Sequence, residues 1–225
     1  MGTSKDITNA ANYLKNEFEK KDLGKTKFCL GLQTNLIVKV RSLKVKNDPF
    51  HPKKEDEDPI GPEVPYLSAI GALMYLANNT RPDIAFAVNL LARFSSDPSK
   101  RHRDGIKNIL RYLHRTIDLG LFFLNNSKSQ LVGYADAGYF SDPHIGRSQT
   151  GYLFTYCSTA ISWKSTKQTM AATSSNHAEL LAIHEASREC VWIRSIIQHI
   201  RHSCGLSNVT GGPTILFEDN SACIK

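Results

Sequence analysis

Between Leu131 and Lys225 three acidic residues stand far apart in the chain, each where an apolar run gives way to polar sequence. Asp136 lies in LVGYADAG, Glu179 in SSNHAELLAIHEA and Asp219 in TILFEDNSA. The first and third end strand-like runs, and the second sits one turn into a helix-like run. Carboxylates carried on element ends can meet at one edge of a sheet. Hard divalent cations take oxygen ligands, and Mg²⁺ keeps several waters beside a few carboxylates. Two such ions roughly 3.5–4 Å apart suit phosphodiester hydrolysis. This pattern points to an α/β unit in the C-terminal half in which Asp136, Glu179 and Asp219 can converge, although a lone acid at a strand end is usually an ordinary surface or cap residue.

Alternation and periodicity supply the elements around it. Strands are predicted over Leu131–Tyr139, Gly151–Cys157, Ala160–Lys164 and Thr214–Phe217, with a further strand-like run at Leu119–Leu124. Ser174 or Ser175 caps a long helix reaching Ile200, whose inward stripe is Ala178, Ala182, Ala186, Cys190, Ile193, Ile197 and Ile200. Glu218 is expected to point opposite to Asp219, away from the site. Glu185 and Glu189 lie too far down the helix to reach it, and Asp142 reads as a turn residue before Pro143.

Upstream, Asp6–Lys20 has an apolar stripe of Ile7, Ala11, Leu14 and Phe18, and KFCLGLQT follows as a short strand. Residues 35–65 hold five prolines and the charge run Lys53–Asp58, the pattern of a solvated linker. Residues 66–118 read as three helices, over Tyr66–Ala77, from Pro82, and from Ser99 to His114. On the third, Lys100, Arg101, Arg103, Lys107 and Arg111 form a basic stripe that reads equally as a solvated face or a phosphate contact. The net charge of +7 fits a nucleic-acid partner. No run of about 18 apolar residues predicts a membrane span. Five scattered cysteines without a C-x-x-C pair favour reduced thiols and an intracellular setting, with cytoplasm and nucleus both open.

The ordered segments GYADAG, RSQTGYLFTYCSTAISWKSTKQ, ATSSNHAELLAIHEASRECVWIRSIIQHI and ILFEDNSAC resemble the ribonuclease H region of copia-type retrotransposon Pol polyproteins. YLSAIGALMYLANNTRPDIAFAVNLLARFSSDPSKRH resembles that family's connector, and KNEFEKKDLGKTKFCLGLQ the end of its reverse transcriptase. The resemblance implies a ribonuclease H-like mixed sheet with flanking helices at 119–225. Ahead of it would lie a helical connector at 66–118, a linker at 35–65 and a polymerase remnant at 1–34. It also implies that Asp136, Glu179 and Asp219 hold Mg²⁺ or Mn²⁺ for cleavage of the RNA strand of an RNA–DNA hybrid, recognised by shape and 2′-hydroxyls. Asp136, on the central strand, is the expected shared ligand.

Departures from the family pattern qualify these expectations. YADADW is replaced by YADAGYF, with Gly138 and Tyr139 at its acidic and aromatic positions. The polymerase aspartates are absent, and the segment bearing the family's fourth carboxylate would follow Lys225, so activity is expected to be impaired. Two other readings stay open. One is a remnant that binds nucleic acid without cutting. The other is an interaction fragment that self-associates through unfinished edges.

Overall fold

The computed structural model describes residues 28–29, 32–33, 45, 48–57, 65–123, 130–205 and 213–220. The amphipathic stretch Asp6–Lys20 lies outside them. KFCLGLQT contains a two-stranded antiparallel ladder, β1 (Phe28–Cys29) with β2 (Leu32–Gln33).

The main sheet grows from a meander. β3 (Leu131–Asp142) pairs antiparallel with β4 (Arg147–Tyr156), and β4 pairs antiparallel with β5 (Thr159–Lys167). The β4–β5 turn has two residues, Cys157 and Ser158, both at positive φ (50° and 67°). This backbone matches the strand twist that two-residue hairpins require. The chain then forms α4 (Ser175–Ser203) and returns as β6 (Ile215–Phe217), which pairs parallel with β3. The strand order is β5-β4-β3-β6. The described part of the Leu119–Leu124 run, residues 119–123, has no strand.

Strand alternation divides the sheet faces between two layers. Leu131, Ala135, Tyr152 and Phe154 pack on Ala186 and Ile193 of α4, and Ala137 packs on Ala178 and Ala182. Gly133 belongs to this face because a Cβ there would lie 2.5 Å from the fully buried Phe154 ring and 2.8 Å from Leu216. Ile200, expected on the inward stripe, is exposed: α4 outruns the sheet it packs on.

Three helices cover the other face: α1 (Tyr66–Asn79), α2 (Ala85–Ala92) and α3 (Lys100–Arg115), with a 3₁₀ turn at Pro82–Ile84. Their core includes Ile70, Leu73, Ile84, Leu90, Leu91 and Ile109, and Trp163 of β5 packs against it. The Trp163 indole N–H donates to the Ala77 carbonyl at 2.6 Å. Gln149 of β4, fully buried, donates to Asn89 of α2 and accepts from Arg93. Arg93 also pairs with Asp142 at 3.0 Å. Asp142 is therefore the buried end of β3 in an ion pair, not an ordinary turn residue.

The expectation of a solvated linker does not hold for residues 48–57. Phe50 enters the helical core, and the Asp48 carboxylate bonds the Phe50 N–H and the His144 ring. Arg101 of α3 grips Glu57 and donates to the His51 and Pro52 carbonyls. The prolines and charges that resemble linker sequence here serve a strap held by partners distant in the chain.

Candidate metal centre

β6 stops opposite Tyr134, so among the described residues no strand pairs with β3 at Asp136 on the side away from β4. The first turns of α4 and the exit from β6 close around that edge. Ser174 caps α4, its hydroxyl accepting the His177 N–H at 3.1 Å, and Glu179 is the fifth helical residue. Leu216 faces α4, whereas Phe217 stacks on Tyr134 with ring centroids 5.3 Å apart. The same alternation carries Asp219 to the side of Asp136.

The result is a compact acidic cluster. One carboxylate oxygen from each of Asp136, Glu179 and Asp219 lies within 4.8 Å of the others. Asp136 is half-buried, Glu179 buried and Asp219 exposed, so the cluster opens to solvent on the Asp219 side. All three residues expected from the sequence thus converge.

Glu218 stays outside this ligand group, as expected, yet its charge acts on Glu179. It follows Leu216 rather than Asp219 in orientation, and the α4 side is where Glu179 resides. Its Oε1 accepts the backbone N–H groups of Asp219 and Asn220 at 3.1 and 3.2 Å, and its Oε2 is buried with no hydrogen-bond partner among the described residues. The signal for it was the pair of adjacent acids at a strand end, one for each side of the edge.

Confinement raises the affinity of these groups for protons. Burial, then the charge of Asp219, pushes the Asp136 carboxyl up to about 6, with the Ala137 N–H opposing. Glu179 and Glu218 are also raised, first by burial. Among neighbouring charges, Glu218 acts most strongly on Glu179. Burying like charges without compensation is costly. A buried Glu179 Oε2 without a hydrogen-bond partner among the described residues therefore fits a hard cation, as does the all-oxygen donor set.

The basic residues of α3 divide. Lys100, Lys107 and Arg111 are exposed, with Lys107 near Asp104 (3.8 Å) and Arg111 bonding Asn108 (2.9 Å). Arg103 is half-buried, and Arg101 turns inward to hold the 48–57 strap.

A four-stranded mixed sheet with this helical flanking, and acids gathered at its central strand, defines an α/β protein of ribonuclease H-like fold. Over about 60% of its length the chain is similar to retrovirus-related Pol polyproteins of copia-type transposons. It is 44% identical over 138 residues to a retrovirus-related Pol polyprotein from transposon TNT 1-94 of Nicotiana tabacum, covering 61% of this chain and 10% of that protein. It is 36% identical over 155 residues to the Pol polyprotein from transposon RE2 of Arabidopsis thaliana, covering 69% of this chain and 10% of that protein. Similarity also extends to secreted RxLR effector protein 161 of Plasmopara viticola, 47% identical over 130 residues, covering 58% of this chain and 92% of that protein. The chain thus spans about a tenth of these Pol relatives and nearly all of the effector. No protein-family model and no solved structure matches it. Among the described residues no helix is long and apolar enough to cross a membrane.

Proposed function

We propose that this chain carries a ribonuclease H-type centre that hydrolyses the RNA strand of RNA–DNA hybrids with Mg²⁺ or Mn²⁺. The observation carrying this reading is the convergence of Asp136, Glu179 and Asp219 within 4.8 Å. Similarity to retrotransposon Pol polyproteins supports it.

Asp136, Glu179 and Asp219 would hold the cations, with Asp136 on the interior strand β3. When bound, the cations activate water and neutralise the leaving 3′ oxygen. The protein contributes position and charge. The sheet and α4 hold two carboxylates rigidly, and solvent-facing Asp219 leaves the approach open to a phosphodiester. Without a cation the cluster repels a polyanion, which makes substrate entry depend on metal. Exposed Lys100, Lys107 and Arg111 are the substrate-backbone contacts proposed on α3.

The test is cleavage of a labelled RNA–DNA hybrid in Mg²⁺ or Mn²⁺, against single-stranded RNA and duplex DNA. Loss of groups that merely support metal ligands costs about 10–100-fold, so Asp136→Asn should cost at least about 100-fold. Salt-sensitive hybrid binding with no cleavage in either metal would replace this reading with the non-cutting one.

A further inference from the structure

We infer that Gln168 is a positioning residue for Glu179, an inference that rests on the metal-centre reading above and deepens it. Gln168 follows β5, outside any helix or strand, yet is only 6% exposed. Its amide Nε2 donates to the Thr150 hydroxyl and to the Ala178 carbonyl, each at 3.0 Å. Its backbone N–H donates to the Ser148 carbonyl at 2.8 Å. A carbonyl oxygen only accepts, so the bond to Ala178 fixes which end of the amide faces α4.

These three bonds join the elements that build the centre. Thr150 pairs across the sheet with Ala137, the residue after Asp136. Ala178 immediately precedes Glu179 and is fully buried. Gln168 therefore ties the strand beside Asp136 to the peptide that carries Glu179. That tie matters because Oε2 of Glu179 has no hydrogen-bond partner among the described residues to hold it. The Ala137 N–H bears on the carboxylate from the sheet side, and the Gln168 amide is a side-chain anchor on the backbone that carries it. Its own Oε1 is also buried without a partner among the described residues, a cost accepted for the two donated bonds. Groups that orient metal ligands from behind usually alter affinity about 10–100-fold when lost.

The test uses Gln168→Met, which keeps the length of the side chain and removes both donated bonds. Mn²⁺ binding is measured by titration calorimetry on the full chain, beside circular dichroism and a melt in chelator. The Mn²⁺ dissociation constant should rise about tenfold or more in a folded protein. In the cleavage assay, the Mn²⁺ needed for half-maximal rate should rise in step, with KM for the hybrid unchanged. Thr150→Val removes one bond and should weaken Mn²⁺ binding less, in the same direction. If Gln168→Met does not fold, Thr150→Val decides: wild-type Mn²⁺ affinity there overturns the role, and weakened affinity supports it. A folded Gln168→Met with wild-type Mn²⁺ affinity overturns the positioning role while leaving the centre intact. Wild-type protein without saturable Mn²⁺ binding overturns the centre itself, and this inference with it.

Discussion

Asp136 carries the clearest consequence at the residue scale. Its carboxyl is raised from 3.8 to about 6, chiefly by burial and then by Asp219. The folded protein therefore binds this proton more tightly than the unfolded chain, and stability falls as pH rises through about 4 to 6. Glu179 and Glu218, raised in the same direction, extend the decline to higher pH. In chelator, Asp136→Asn should escape its share. Its stability relative to wild type should grow between about pH 4 and 6 to on the order of 3 kcal/mol, and grow further where Glu179, no longer facing the Asp136 charge, ionises. Urea unfolding across pH checks this. A variant less stable than wild type by the same margin at every pH would make Asp136 a structural hydrogen-bonding group. Divalent metal inverts the preference, because a cation rewards the ionised forms. Mg²⁺ should thus stabilise wild type near neutral pH and do little at pH 4.

At the scale of elements, the 48–57 strap and α3 form the least anticipated pairing. The Arg101 guanidinium holds the Glu57 carboxyl down at about 2. This contribution is present above the ordinary glutamate range and is lost as pH falls through the folded value. Arg101→Met should release the strap: amide exchange over residues 48–57 should accelerate, while exchange in β3 and β4 stays slow. Unchanged protection over 48–57 would mean that Phe50 and Asp48 hold the strap without Arg101. The strap also marks where sequence reasoning fails. Strands β3 to β5 and helix α4 were legible because period-2 and period-3.6 patterns record which side of an element is buried. Asp136, Glu179 and Asp219 were legible because each sits where such a pattern ends. Partners more than 40 residues apart, such as Arg101 and Glu57, leave no periodic trace. Gln168 leaves none either, since a buried amide outside regular structure looks like any loop residue. Glu218 was read correctly as pointing away from Asp219, but its electrostatic effect on Glu179, carried by the helix on that side, was not considered.

For the whole molecule, the helical layer and the sheet share buried polar and apolar contacts. Arg93, Asp142 and Gln149 form one network across them, and Trp163 packs into the helical core. These contacts cover a face that the strands would otherwise expose. Unfolding should therefore be a single transition, with far-ultraviolet circular dichroism and tryptophan fluorescence coinciding. Two separated transitions would show the helical layer and the sheet to be independent units.

The central claim is that one edge of this sheet is a divalent-cation site. Crystals soaked in Mn²⁺ test it most directly, because anomalous scattering locates the ion without reference to activity. The account predicts anomalous density bounded by the carboxylates of Asp136, Glu179 and Asp219, and its loss in Asp136→Asn crystals. Saturating Mn²⁺ that leaves this edge empty, or binds only elsewhere, would contradict it.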